Sequence, residues 1–390
     1  MSNTIDYAKI FETVLDQQIV QESTTAKMEL NERLVKYTGG NEMKIPKMSV
    51  SGLSDYSRAT GFPTDGAISL VWETHVFDKD RGQTFSLDSQ DVDESNFVAT
   101  AGEALATFQR EQVIPEIDAY RFSKIFTVLN PVLRTGAYVP AISTAYSQLK
   151  SDLKGIQSVI GEMEPLTIYA SYDASDVLDR SNEVTKFLSM MDFKVGNLTT
   201  KVKSIDGIPI IKVPTARFKS AYTFGTGGFM VATLAMGINW IITANRATIA
   251  ITKAEKLRVR TPEQNDLADA FKVQYRRYHT LIIPDNKTDA MFLSYTAIAA
   301  PELDAEVAAG AAAGTKFTVA ASDGTTLGYI LGTVSPAVKF NDIYSGAVYT
   351  SGADIDDAVS TNILTMLEVD STGHVTKVKE ETLETSDIAS

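Results

Sequence analysis

The chain has 390 residues, 44% of them hydrophobic and none of them cysteine, so ordinary cores are available while disulfides and thiolate metal sites are excluded. Its 49 acidic and 36 basic residues give a net charge of -13, which argues against a surface whose main task is to grip phosphates. An acidic balance is compatible with enclosing DNA without adhering to it, and it also favours solubility.

The first thirty residues lack the basic start and unbroken apolar stretch of a secretory signal. The longest later apolar run, GINWIIT, is too short to cross a membrane. Residues 1–60 read as an arm and lead-in: Ile10, Phe11, Val14 and Leu15 make a short helical stripe, and QESTTAK after them carries little core signal, so the arm needs a neighbour's surface. Residues 61–95 read as a long ribbon. Ile68, Leu70, Trp72, Thr74 and Val76 alternate with Ser69, Val71, Glu73, His75 and Phe77, DKDRG (78–82) is expected at a hairpin tip, and QTFSLDS supplies the returning strand.

Residues 96–132 predict a long helix, capped by Ser95 or Asn96, with Asp93 and Glu94 near its positive end. Phe97, Ala101, Ala104, Leu105 and Phe108 form its first apolar face. Pro115 predicts a kink or break, followed by a second run through Tyr120 and Phe122. Residues 133–255 alternate as an α/β domain: helix at 141–163, strand at 166–171, helix at 174–188, two strands about the Asp206-Gly207 turn, then FGTGGFM as a flexible connection. Residues 256–300 hold return strands at 271–283 and 290–297, expected to pair with each other beneath the long helix. Residues 301–314, PELDAEVAAGAAAG, read as a linker, and 315–390 as a small all-β appendage with turns at Asp323-Gly324 and Thr372-Gly373.

No constellation of residues points to catalysis, a cofactor or a metal. His75, His279 and His374 lie in three different regions without spaced partners. FGTGGFM lacks both the dinucleotide glycine spacing and a phosphate-loop lysine, and DASD and DVDES lack the calcium-loop pattern. YRRYH splits its cations and aromatics between two strand faces, which favours ion pairing over nucleic-acid stacking. The candidate subunit-contact residues are Trp72, Phe77, Asp78, Lys79, Asp80 and Arg81 on the ribbon. Arg110, Glu111, Glu116, Asp118 and Arg121 on the helix and Arg276 and Arg277 on the return strand complete the set.

The order of parts (arm, ribbon, long helix, α/β domain, return strands) resembles the major capsid proteins of tailed bacteriophages, with the Hong Kong 97-type fold. The phrases FQREQVIPEIDAYRFSKI, VQYRRYHTLIIP and GAVYTSGADI with ILTMLEVD are similar to members from phages of Gram-positive bacteria. The resemblance implies an α+β fold in which the helix is the spine of a peripheral domain, the ribbon reaches over an adjacent subunit and the α/β part is an axial domain. It also implies a non-enzymatic subunit that assembles with copies of itself as pentamers and hexamers around double-stranded DNA. A separate scaffolding protein and a portal are the implied partners, with no membrane and no cofactor, and the location is the virion, assembled in the host cytoplasm. Some relatives join subunits through a lysine to asparagine bond, and Lys79 is placed for one; self-cleavage is not expected. Another phage structural component, or an α/β enzyme or binding protein, is the alternative reading.

Overall fold

A computed structural model describes residues 23–29, 36–39, 41–53, 56, 58, 67–88, 90, 101–181, 189–195, 198–265, 268–312 and 314–389. The helix-cap expectations at 93–97 and the stripe at 10–15 lie outside these residues. The chain divides into two compact units, one of residues 1–136 with 140–294 and the other of 137–139 with 295–390. Among the described residues, no helix is long and apolar enough to cross a membrane.

In the first unit, β1 (Lys36–Gly39), β2 (Glu42–Val50) and β3 (Ile68–Val76) form one antiparallel sheet in that order. The ribbon is therefore β2 with β3, not β3 with the segment after it. Strand β4 (Lys79–Asp88) pairs instead with a later strand, so DKDRG is the start of a ladder and not a hairpin tip. The reason is Phe77, which is 5% exposed and packs with Met43, Ile45, Ile249, Ile251 and Ile282, drawing the chain into the core between the two strands. Gly82 serves close approach and not a turn: a Cβ there would lie 2.7 Å from the Tyr275 carbonyl oxygen.

The long helix comprises α1 (Ala101–Phe108), one π-helical turn (Gln109–Val113) and α2 (Ile114–Leu129). No break occurs at Pro115: Val113 and Ile114 keep helical dihedrals, and the Ile114 N–H donates to the Gln109 carbonyl across the wider turn. Proline lacks an N–H and crowds the carbonyl four residues back, so a widened turn just before it accommodates the ring while the rod continues. The middle of α2 is buried on every side, from Ile117 to Ser123. Next come β5 (Thr135–Ala137), α3 (Ala145–Ile160), β6 (Leu166–Ser171), α4 (Tyr172–Arg180), β7 (Ser189–Val195), β8 (Leu198–Ile205) and β9 (Ile208–Val213). FGTGGFM is no loose connection: β10 (Tyr222–Gly225) and β11 (Gly228–Val231) pair as a hairpin. Then follow β12 (Gly237–Ala244), β13 (Ile249–Arg260), β14 (Ala270–Ile282) and β15 (Met291–Thr296), whose last two residues are assigned to the second unit.

Two sheets flank α2. The order β13-β14-β4 lies on one side, where Tyr120 meets His279 edge to face at 5.2 Å. On the other, Phe122 packs on Tyr169 and Phe218, with ring centroids at 5.5 Å and 4.7 Å, beside the seven-stranded sheet β5-β15-β12-β6-β9-β8-β7. The return strands β14 and β15 thus enter different sheets and do not pair. A 3-10 segment, Asp285–Ala290, carries the chain from one to the other. Fully buried Trp240 donates from its indole to Asp152 at 2.9 Å, and Gln148 donates to the same carboxylate at 2.9 Å. Burial raises the Asp152 pKa to about 6, although both donors oppose the rise.

In the second unit, 301–314 is not a linker. Leu303 and Ala305 are core residues, and β16 (Glu306–Ala309) pairs with β17 (Thr315–Thr318). Gly314 has φ +58 and its Cβ position would overlap the Ile355 carbonyl, so the alanine-glycine composition answers a close backbone crossing. Strands β18 (Thr326–Gly332), β19 (Ile363–Val369) and β20 (Val375–Thr382) form a three-stranded antiparallel sheet. Phe317 stacks on Tyr349 at 4.0 Å, and the Tyr349 hydroxyl donates to the Ala353 carbonyl at 2.7 Å.

Two outcomes are expected. Gly82→Ala should destabilise the first unit by about 1–3 kcal/mol, because backbone and not a flexible side chain meets the new methyl; unchanged urea unfolding would contradict this. For Asp152 the folded pKa is raised above its unfolded value of 3.8, so its ionisation costs stability as pH climbs through 4 to 6, and the loss persists above. Asp152→Asn should therefore raise the melting temperature more at pH 8 than at pH 4, and an equal shift at both would refute the assignment.

Candidate assembly surface and the clasp that positions it

Asp118 and Arg121 lie three apart on α2 and have no exposed surface, which is costly for charges unless each is matched. Both are matched within the chain. One Asp118 oxygen accepts from the hydroxyls of Ser23 and Thr25, each at 2.7 Å. The other accepts from the Thr24 hydroxyl at 2.9 Å, the Thr24 N–H at 3.1 Å and Arg217 at 3.3 Å. Arg121 donates to the Thr25 hydroxyl at 2.9 Å and to Glu29. Glu29 also receives Arg277 at 3.1 Å, and Arg277 reaches Glu255 at 3.1 Å. Burial works against the Glu29 charge, but Arg121 and Arg277 outweigh it and hold its pKa below the usual carboxylate range. Three carboxylates and three guanidiniums thereby fix residues 23–29 against α2 and β14.

A second set ties the start of β4 to the same helix. Asp78 accepts from the Tyr120 hydroxyl, from Thr280 at 2.9 Å and from Lys124 at 3.1 Å. Arg81 grips Glu116 with two bonds, at 2.7 Å and 3.2 Å, and donates to the Gly225 and Gly228 carbonyls at 2.9 Å and 3.2 Å. The Lys79 ammonium sits 4.2 Å from the Phe224 ring centre. Asp80 and Arg276 pair at 2.8 Å on the outer face of the β4–β14 ladder.

These positions correct the contact expectations. Asp118, Arg121, Arg277 and Phe77 are buried inside this chain and present no surface to a neighbour. Asp78, Arg81 and Glu116 are engaged with partners in the same unit. Sequence spacing placed these charges around one helix; it did not tell inward from outward, because α2 is covered on all sides. Trp72, Arg110, Glu111, Asp80 and Arg276 keep exposed surface.

Exposed apolar side chains line one face at the far end of the β2–β3 ribbon. Register puts Val50 opposite Ile68, Met48 opposite Leu70 and Pro46 opposite Trp72, all on one face. Ile68, Val50, Met48, Leu70 and Trp72 are 75%, 65%, 64%, 52% and 42% exposed. The opposite face carries Ser49, Ser69, Lys47 and Val71. Among the described residues β1 pairs with β2 no further than Lys44, so Pro46 meets no ladder partner on that edge. Near its base the ribbon is anchored by Met43, at 0% exposure. Met48, Val50, Ile68 and Leu70 were missing from the sequence-derived contact set, although alternation in EMKIPKMSV, with ISLVWETHV after the polar stretch that follows it, carried the signal.

Among the described residues no group of three or more acids or histidines is placed to hold a metal. His75 pairs with Glu73 at 2.7 Å and His374 with the Thr372 hydroxyl at 2.8 Å, each in its own unit.

Asp118→Ala removes one partner of a buried, charge-matched group and should cost about 3–5 kcal/mol. Hydrogen exchange should speed up in 23–29 ahead of β14; retained protection there would contradict the clasp.

Residues 308–386 match a family model described as the S-layer protein SbsC C-terminal domain. No protein with a curated description matches the chain. Similar solved structures include the bacteriophage PhiM1 mature capsid, at 13% identity and TM-score 0.45, covering 66% of this chain and 82% of that one. Gordonia phage Cozz is similar at 13% identity and TM-score 0.45, covering 71% and 87%. A virus-like particle from Pyrococcus furiosus is similar at 9% identity and TM-score 0.43, covering 74% and 99%.

Proposed function

We propose that this chain is the major shell subunit of a tailed-phage head, assembling with copies of itself as pentamers and hexamers around double-stranded DNA. The observation that carries the reading is the ribbon. Its cross-strand apolar pairs lie beyond an anchored base, while Asp118, Arg121 and Arg277 are engaged inside the chain. A ribbon with one apolar face is marginal in water by itself and gains order by lying on another surface. Its sequence context, an arm and a long helix in the order noted above, makes a second copy the natural occupant. Scaffolding protein and portal are the further partners this reading entails, with assembly in the host cytoplasm and the virion shell as the final location.

Under this reading each subunit is completed by its neighbours, and many modest contacts multiply into a stable particle. Burying side chains of this size contributes about 1.5–3 kcal/mol each. The exposed charges Arg110, Glu111, Asp80 and Arg276 serve at the rim of such contacts, where they select register more than they add affinity. The second unit, with its own core, acts as a surface projection or brace. Lys79, over Phe224, is held beside an aromatic ring, and a covalent cross-link through it is not part of the proposal.

Trp72→Ala combined with Leu70→Ser should abolish or strongly reduce particle formation seen by electron microscopy, with the melting temperature of the dissociated subunit unchanged. Normal particles from this variant would refute the ribbon as the assembly surface.

A further inference from the structure

Charge is spread unevenly over this acidic chain. Strands β13, β14 and β4 of the first unit form a sheet whose two faces differ in chemistry. Leu257, Val259, Val273, Tyr275 and Phe85, all odd-numbered, pack with Leu105, Phe108 and Val113 of the long helix. The even-numbered residues therefore lie on the outer face, because successive side chains of a strand alternate. On β13 these are Lys256, Arg258 and Arg260, all exposed, and on β14 the half-buried Lys272.

Register sets Arg260 directly opposite Lys272, and Lys256 opposite Arg276. Like charges that face each other across a ladder oppose its pairing. Arg276 is matched by Asp80 at 2.8 Å. Among the described residues, Lys256, Arg258, Arg260 and Lys272 have no carboxylate within ion-pair distance. The acids of this face stand at its ends, Asp80 on Arg276 and Asp88 opposite Ala270, while Glu263 and Asp269 belong to the connection beyond. An anion laid across the four cations relieves a repulsion that the fold itself leaves in place.

The rest of the face selects the kind of anion. Gln274 and Thr84 lie in register with Arg258, and Ser86 with Lys272, so the cations are interleaved with polar side chains and with no apolar or aromatic one. A protein partner needs an apolar and aromatic interface core, and single-stranded nucleic acid needs rings on which its bases stack. Lys, Arg, Gln, Ser and Thr are instead the side chains that hold duplex phosphates without reading bases. From Lys256 to Arg260 the cations span about 14 Å at ~3.4 Å per residue. One strand of duplex DNA presents a phosphate about every 3.4 Å of axis, so about four phosphates face this stretch.

We propose that the outer face of the β13-β14-β4 sheet binds the phosphate backbone of duplex DNA, whatever its sequence, through Lys256, Arg258, Arg260 and Lys272. The choice of DNA as the polyanion rests on the reading of the chain as a shell subunit. A net charge of -13 sums over the whole surface and does not report a local face of opposite sign.

The test is fluorescence anisotropy of a labelled DNA duplex of about 20 bp titrated with the full chain between about 50 and 200 mM potassium chloride. Saturable binding is expected, with log affinity falling against log salt at a slope of about -3 to -4, as four phosphate contacts imply. The triple variant Lys256→Gln, Arg258→Gln, Arg260→Gln should bind at least ~10-fold more weakly and lose about three units of that slope. If it does not fold, Arg258→Gln alone decides, with an expected loss of about one unit. Absence of saturable binding, or an unchanged slope in the variant that folds, overturns the proposal. Binding of an RNA duplex at least ~10-fold tighter than DNA overturns the choice of DNA. Salt-dependent self-association that the triple variant loses, without DNA binding by the parent, gives the face to a second copy and overturns the proposal as well. Particle formation is read separately by electron microscopy: particles without DNA binding overturn this inference alone, and DNA binding without particles supports it while the shell reading fails.

Discussion

The structure of the first unit depends on one buried carboxylate. Asp118 sits at 0% exposure in the middle of a helix covered on every side, and such a charge persists only if the chain brings it donors. It does so by folding Ser23, Thr24 and Thr25 back across more than ninety residues of sequence. Arg121, one turn on, extends the matching through Glu29 to Arg277 and Glu255, so helix, arm segment and return strand hold one another. Thr25 serves both Asp118 and Arg121, and Glu29 serves both Arg121 and Arg277, so the loss of one shared group weakens the matching of two others.

That matching leaves the ribbon to do something else. Several of the charges that a sequence reading would assign to neighbours are used internally, while the ribbon exposes an apolar set: Met48, Val50, Ile68, Leu70 and Trp72. Phe77 is the pivot. By packing with Ile249, Ile251 and Ile282 it separates the projecting strand β3 from the internal strand β4. An exposed apolar stripe of this kind gains from being covered by another surface. The second unit carries its own core and ladders.

Much of this fold was legible in the sequence where a local signal decides the outcome. LTIYAS, the Asp206-Gly207 turn with both residues at positive φ, and ILTMLEV follow from periodicity and turn chemistry. Pairing partners were not legible, because a strand's own alternation does not name its neighbour. DKDRG has the composition of a turn, and only the tertiary approach of Tyr275 shows that Gly82 answers a crowded ladder. PELDAEVAAGAAAG has the composition of a linker, yet Gly314 and two buried side chains make it core. Periodicity gives a helix one buried face, whereas α2 is buried on every side at its centre, so Asp118 and Arg121 point inward. Ser23 to Thr25, in the arm, carry little core signal because their partner is an aspartate far along the chain.

Small-angle X-ray scattering of the purified full chain over a concentration series tests the central claim most directly. The account predicts the intensity oscillations of hollow particles, growing in with concentration. A concentration-independent monomer with a radius of gyration near ~21 Å, as a compact chain of this length would have, would contradict it.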